Sequence, residues 1–318
     1  MQSVKDVLSV LLEKRGQYLK GKIDKKNYME DMFEIHKRLF EYPGLLADSL
    51  INKIEINAEQ VIFTIRNGNN NIMLCCDKRE AHSLPMSFLN LSSVETEENK
   101  MILQLIQPGD VVFDIGANIG WYTISILLAR KGTSVYSFEP IKSSYQYLLK
   151  NMELNNQKTE KAYNIGLSDE NNMIDFFFDI KCATASSLAN LREDKCTVKE
   201  TCEVKRLDDF LKTIPSVSKL DFVKCDVEGA ELFVFKGAIE TIGKFKPIVF
   251  SEILRKWSKK MGYHPNDIID LFRSIDYECH VINKGKIEKF GSVDEDTEYT
   301  NYLFFHNKKH AGIVKRLL

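Results

Sequence analysis

Apolar positions along this 318-residue chain change period several times, and each change predicts an element. Residues 3–18 place Val4, Val7, Leu8, Leu11 and Leu12 on one helical face. Asp24 caps a second helix whose inner face carries Tyr28, Met32, Ile35, Leu39 and Phe40. Together they predict a helical hairpin within an N-terminal extension, residues 1–57. Its apolar side, with Leu8, Leu11, Leu12, Met32 and Phe33, is expected to cover the chain's own core or to join two copies into a homo-oligomer. Short β patterns follow at 53–57, 61–66 and 72–77, and Asn67-Gly68-Asn69 predicts a hairpin turn between the last two. A helix over 94–106, stopped by Pro108-Gly109, completes a small β segment with a lead-in helix, residues 58–108.

From Val111 the pattern alternates. Strands are expected at 111–115, 134–138, 162–167, 220–226 and 247–253. Helices are expected between them at 121–129, 141–154, 207–213, 230–242 and 266–275. Further β candidates at 172–180 and 201–206 flank a polar stretch, 181–199. Two last strands, 278–283 and 299–306, read as an antiparallel hairpin at the sheet edge, and 308–318 as a basic, solvated tail. Alternation of this kind predicts an α/β domain over 109–318, a mostly parallel sheet with helices on both faces.

The first strand ends in Asp114 and opens into Gly116-Ala117-Asn118-Ile119-Gly120. Glycines there let backbone N–H groups at a helix start approach a ligand. Glu139, about 20 residues on, has the spacing of a ribose-binding carboxylate. A dinucleotide and S-adenosylmethionine both suit a glycine turn with a downstream acid. Asn118 stands where the dinucleotide fingerprint has its middle glycine, and Asp114 would repel a pyrophosphate but not a sulfonium amino acid.

The runs Phe113-Asp114-Ile115-Gly116-Ala117-Asn118-Ile119-Gly120, Phe138-Glu139-Pro140, Asn164-Ile165-Gly166-Leu167-Ser168-Asp169, Leu207-Asp208-Asp209-Phe210-Leu211 and Lys224-Cys225-Asp226-Val227-Glu228-Gly229-Ala230-Glu231 resemble the FkbM family of S-adenosylmethionine-dependent methyltransferases. The last run is the family-specific one. The resemblance implies a Rossmann-like class I methyltransferase fold, with a seven-stranded sheet in the order 3-2-1-4-5-7-6. It implies O-methylation of a hydroxyl on a small or glycosylated substrate: a sugar, a surface-polysaccharide precursor or a secondary metabolite. Gly116, Asn118 and Gly120 would hold the amino-acid part of the cofactor, with Asp114 beside them, and Glu139 the ribose, next to Pro140. Ser168 and Asp169 would meet the adenine. The polar run Ala183-Thr184-Ala185-Ser186-Ser187-Leu188 also resembles the family and is expected to be a loop that orders over substrate.

Ligands of open α/β sheets lie beyond the carboxyl ends of the strands, and Asp226, Glu228 and Glu252 fall there. Any of them can serve as general base, as can His264 in the loop after the fifth strand, and Asp226 also borders the cofactor. The three carboxylates can alternatively bind Mg²⁺, or fix Lys224, Arg255 or backbone N–H groups. Asn-Pro-Pro-aromatic, the signature of base N-methyltransferases, is replaced by Asp226-Val227-Glu228-Gly229. Rival readings are an NAD(P)-dependent oxidoreductase with a degenerate fingerprint and a non-catalytic binding protein on the same scaffold.

Composition narrows the partners. With 44 Lys and Arg against 45 Asp and Glu, the formal charge is −1, so no global field draws in nucleic acid. Seven scattered cysteines without a Cys-x-x-Cys pair suit a reduced, cytoplasmic protein without a zinc site. The N-terminus, with Lys5, Asp6 and Glu13, is no signal peptide, and no apolar run approaches the ~20 residues of a membrane span.

Overall fold

The computed structural model describes residues 7–91, 96–179, 182–187 and 197–318, with backbone alone at 96, 178–179, 182–187 and 197. Helices α1 (Val7–Leu19), α2 (Lys25–His36) and α3 (Tyr42–Ala47) come first. A three-stranded antiparallel sheet follows, β1 (Ile51–Ile56), β2 (Val61–Asn67) and β3 (Asn70–Leu74), then α4 (Leu84–Asn90) and α5 (Thr96–Leu105). β4 (Val111–Ile115), α6 (Trp121–Ala129), β5 (Ser134–Phe138), α7 (Lys142–Leu154) and β6 (Ala162–Tyr163) begin the main sheet. The chain then enters a second sheet, formed by β7 (Gly166–Leu167), β8 (Asn172–Asp179), β9 (Cys182–Ser187) and β10 (Thr197–Lys205). It returns through α8 (Leu207–Phe210), β11 (Phe222–Cys225), α9 (Glu231–Lys236), α10 (Ile239–Phe245) and β12 (Ile248–Glu252). The last elements are α11 (Arg255–Lys260), α12 (Pro265–Arg273), β13 (Tyr277–Asn283), β14 (Lys286–Lys289), β15 (Asn301–His306) and α13 (Ala311–Leu317).

The main sheet has eight strands where seven were expected, in the order β14-β13-β15-β12-β11-β4-β5-β6. β6, β5, β4, β11 and β12 run parallel, and β15 is antiparallel to both of its neighbours. β15 lies inside the sheet, between β12 and β13, and the extra strand β14 forms the edge. Both faces are covered. On one, Phe113, Phe138, Val223 and Phe304 pack with Phe210, Phe235 and Phe272 from α8, α9 and α12. On the other, Val112, Val135, Phe222 and Phe250 meet Ile102 of α5 and Ile126 of α6. Alternate residues of one strand feed opposite cores, as the period of a strand requires.

The small sheet is stitched to the main domain by α7. Asn151 is wholly buried; its Oδ1 accepts from Cys75 N–H at 2.8 Å and its Nδ2 donates to the carbonyls of Cys75 and Ile119. One turn on, Asn155 accepts from Met73 N–H and donates to Met73 C=O. Two carboxamides four residues apart thus stand in for a fourth strand along the free edge of β3, which would otherwise be open to another chain.

Several expectations are corrected. The first strand of the small sheet, β1, lies within the span expected as the helical extension. Neither α1 nor α2 buries a residue, and Leu8, Leu12 and Phe33 are more than half exposed. The hairpin therefore closes mainly on itself, with Tyr18 stacked on Tyr28, and does not cover the core. The strand expected at 162–167 is divided between two sheets. The helix expected at 230–242 breaks between α9 and α10. At Gly237 a Cβ would stand 1.9 Å from the Ser168 carbonyl oxygen, and both Asp208 carboxylate oxygens accept N–H bonds from the start of α10, at Glu240 and Thr241. The tail is the helix α13, with Ile313, Val314 and Leu317 against the core. Residues 183–187, expected as a loop, form strand β9 against β8, and Leu188 lies outside the described residues. Among the described residues no helix is long and apolar enough to cross a membrane.

Replacing Asn151 with Ala should lower unfolding free energy by ~2–4 kcal/mol, because it strands buried backbone groups of Cys75 and Ile119. Urea denaturation checks this: a midpoint within error of the parent would show that the edge of β3 is held by something else.

Candidate functional site

A polar row crosses three neighbouring strands of the main sheet. Ser137 of β5, Asp114 of β4 and Lys224 of β11 are neighbours in register, and each is buried. Asp114 Oδ2 accepts from the Thr123 hydroxyl at 2.6 Å, and Thr123 also bonds Ser137. The Lys224 ammonium is 3.5 Å from Asp114 Oδ1 and 3.6 Å from Asp226 Oδ2, and donates to the Gly116 carbonyl at 2.9 Å. Asp114 is therefore an internal counter-charge to Lys224 and does not line the recess where a ligand can enter.

The glycine turn after β4 is shaped by its neighbours. Gly116 has φ +74°, and a Cβ there would stand 1.8 Å from the Asp226 carbonyl oxygen. Only glycine lets the two loops meet this closely. Gly120 has φ +96°, where a side chain would be strained, and a Cβ there would come 2.7 Å from Leu148 of α7.

The loops after β4, β5 and β11 surround a narrow recess of about 80 Å³. Of the expected residues, Gly116, Asn118, Glu139, Pro140, Ser168, Asp226 and Glu228 line it. Glu139 accepts from Asn118 N–H through Oε2 and from Ile141 N–H through Oε1, both at 2.9 Å, and burial pushes its carboxyl up to about 7. Asn118 has φ +48°, and its buried Oδ1 has no partner among the described residues. Glu228 also adopts the left-handed region, φ +51°. Burial, then the charges of Asp226 and Glu231, push its carboxyl up to about 8.

Glu231 holds the loop bearing these acids. Its Oε1 accepts from Val227 and Gly229 N–H, and its Oε2 accepts from the Tyr263 hydroxyl at 3.0 Å. Burial pushes Glu231 up to about 7.

Five expected residues do not line the recess. Gly120 and Asp114 act behind it, as described. Asp169 is exposed and accepts a hydrogen bond from Ser168. His264 caps α12: its Nδ1 accepts from Asn266 N–H, and its own N–H donates to Asp267. Glu252 ends β12 outside the lining. Among the described residues no group of three or more His, Cys, Asp or Glu side chains is gathered to hold a metal ion, so Asp226, Glu228 and Glu252 do not form the carboxylate cage considered for Mg²⁺. The wall that the motifs did not indicate comes from Phe176 and Val204. Phe176 and Val204 belong to the second sheet. β8 and β10 were both expected as β candidates, at 172–180 and 201–206, but not their place over the recess.

A glycine turn after the first parallel strand, a buried acid after the second and an acidic loop after the fourth are the arrangement of the Rossmann-like methyltransferases. The chain belongs to the methyltransferase FkbM domain family, whose profile matches residues 114–279. That membership leaves the oxidoreductase reading without support. Over 144 residues the chain is 31% identical to Methyltransferase 1 of Beauveria bassiana, an alignment that covers 40% of this chain and 57% of the relative. Over 197 residues it is 26% identical to the hexuronic acid methyltransferase AglP of Haloferax volcanii, covering 62% of this chain and 75% of that protein. Among solved structures it is similar to a methyltransferase FkbM from Methylobacillus flagellatus KT, with TM-score 0.41 and 18% identity over 63% of this chain and 44% of that one.

Lys224→Met should cost ~3–5 kcal/mol in stability, since it leaves Asp114 charged and buried without its partner. The double variant Lys224→Met, Asp114→Asn should recover part of that loss. Equal unfolding midpoints for parent and single variant would remove Lys224 from the role described.

Proposed function

We propose that the protein transfers a methyl group from S-adenosylmethionine to a hydroxyl oxygen of a small or glycosylated acceptor. The observation that carries this reading is that one recess gathers Asn118 and Glu139 from the loops after β4 and β5 with Asp226 and Glu228 from the loop after β11. Family membership supports the reaction class. The hexuronic acid named for the Haloferax relative supports a sugar-like acceptor. The sequence Asp226-Val227-Glu228-Gly229 supports oxygen rather than a nucleobase nitrogen as the target.

S-adenosylmethionine, when bound, supplies a methyl group already activated by its sulfonium. The residues present fit it. Asn118 Oδ1 is a buried acceptor without a partner among the described residues, suited to the ammonium of an amino acid. Glu139 has one backbone N–H on each oxygen, and each oxygen retains a second acceptor position for a ribose hydroxyl. Pro140, Ser168 and Phe176 provide an apolar slot with one hydroxyl for the adenine. Asp226, held toward Lys224, marks where positive charge is favoured beside the turn.

Glu228 is the general base in this mechanism. A carboxyl near 8 has a proton affinity matched to neutral conditions, so it can take the acceptor's hydroxyl proton as oxygen attacks. Asp226, beside it, raises that proton affinity. Alignment of the hydroxyl with the methyl group supplies the larger share of the rate, up to ~7–11 kcal/mol.

Two measurements test the reading. By calorimetry, Glu139→Ala should weaken S-adenosylmethionine binding by ~1.5–3 kcal/mol. Parental affinity should strengthen as pH rises through about 7, because the carboxylate is the better acceptor. Unchanged affinity in the variant would remove Glu139 from the ribose. An acceptor can be found by screening glycan pools for the mass gain of one CH₂. With it, turnover should rise with pH through about 8, and Glu228→Gln should lower turnover by ~10²-fold and abolish that rise. A variant that keeps both rate and pH profile would exclude Glu228 as base.

A further inference from the structure

A second, larger groove runs along the outer side of α6, between α5 and the β2–β3 turn. Its volume is about 700 Å³. Trp121 lies at its upper end and Arg130 at its lower end, so it spans about 14 Å at the rise of a helix. It is separate from the recess that holds Glu139 and Glu228, and no residue lines both.

Its lining has a marked chemistry. Six carboxamides contribute: Asn67, Asn69, Asn70, Asn99, Gln104 and Gln107. Arg66, Lys100 and Arg130 add three cations, and no described lining residue is Asp or Glu. Lys100 is exposed, whereas Arg130 caps α5 by donating to the carbonyls of Leu103 and Ile106. A carboxamide both donates and accepts, which matches a hydroxyl group. The cations match a carboxylate or another acidic substituent.

Two buried polar atoms belong to this lining and have no partner among the described residues: Asn99 Oδ1 and Trp121 Nε1. Asn99 is 3% and Trp121 6% exposed. The other end of the Asn99 amide is fixed, since Nδ2 donates to Asn67 Oδ1 at 2.8 Å, and Asn67 donates in turn to Ser125. The relay leaves the Asn99 carbonyl oxygen as an acceptor, and the Trp121 indole N–H adds a donor; hydroxyl groups can answer both. Buried polar groups are nearly always satisfied, so this pair marks a place where a polar ligand completes the structure.

We propose that this groove binds an acidic oligosaccharide, independently of the methyl-transfer recess. A single-stranded nucleic acid shares the negative charge but needs exposed aromatic faces for its bases. The two aromatic rings here, Trp121 and Phe88, are buried against each other with centroids 4.7 Å apart. The groove therefore offers amide and cationic groups without a stacking platform.

The test uses the full chain with saturating S-adenosylhomocysteine, so that the first recess is filled. The chain has two tryptophans, Trp121 in this groove and Trp257 outside it, against Gly229 of the acidic loop, so the indole N–H region of a ¹⁵N spectrum distinguishes the two places. Titration with a short oligogalacturonate should shift the Trp121 resonance and leave that of Trp257 in place. Lys100→Glu, a change at an exposed position, should weaken this binding at least tenfold, and Asn99→Ala should weaken it as well. A neutral malto-oligosaccharide of equal length should bind at least tenfold more weakly than the acidic one. The proposal is overturned if Trp121 does not respond to oligogalacturonate or if Lys100→Glu binds like the parent. It is overturned equally if a single-stranded RNA oligonucleotide moves Trp121 while the glycan does not.

Discussion

The Lys224 ammonium is the charge around which this molecule is arranged. It is buried in the middle of a parallel sheet, where an isolated cation would not be tolerated. Asp114, opposite it on β4, and Asp226, just past the end of its own strand, offset it, and the Gly116 carbonyl accepts a hydrogen bond from it at the turn. One side chain thereby ties together the floor, the glycine turn and the acidic loop. Moving any of these three would leave a buried charge less well matched, so their relative positions are set before any ligand arrives.

The acidic loop is held from its other side by Glu231 and Tyr263. Glu231 accepts N–H bonds from both Val227 and Gly229, which brackets Glu228 between two fixed amides. That bracket is why a non-glycine residue can be kept at φ +51°. The same crowding of carboxylates adds to burial in raising the proton affinity of Glu228, so backbone conformation and acid–base character share a cause. The Asp-Val-Glu-Gly-Ala-Glu motif is in this sense a division of labour. Its first two acids face the recess, and the third holds the loop that presents them.

Much of this was legible in the sequence, for a physical reason. The turn after β4, the acid after β5 and the acidic loop after β11 are each encoded within about ten residues, and strand–turn–helix order fixes where such segments meet. What escaped the sequence is nonlocal. Phe176 and Val204 reach the recess because an antiparallel sheet folds back over it. The division of the 230–242 helix follows from the approach of the Ser168 carbonyl to Gly237, from a distant part of the chain. His264 looked like a candidate base because it follows a strand end, but the adjacent Pro265-Asn266-Asp267 makes it a helix cap. Asp114 was placed correctly at the strand end. Its direction was not legible, because it depends on Lys224 standing opposite in register.

The asparagine pair on α7 has a consequence for how motion in this protein can be observed. Amide protons of a sheet normally exchange with solvent when strands separate. Those of Met73 and Cys75 are instead locked by side chains at the end of a helix, Asn155 and Asn151. That helix begins two residues after Pro140, at the wall of the recess. Their deuterium uptake therefore measures how firmly α7 is docked rather than the integrity of their own sheet. These two amides form a gauge, built into the far side of the molecule, for loosening at the place where the ligand enters.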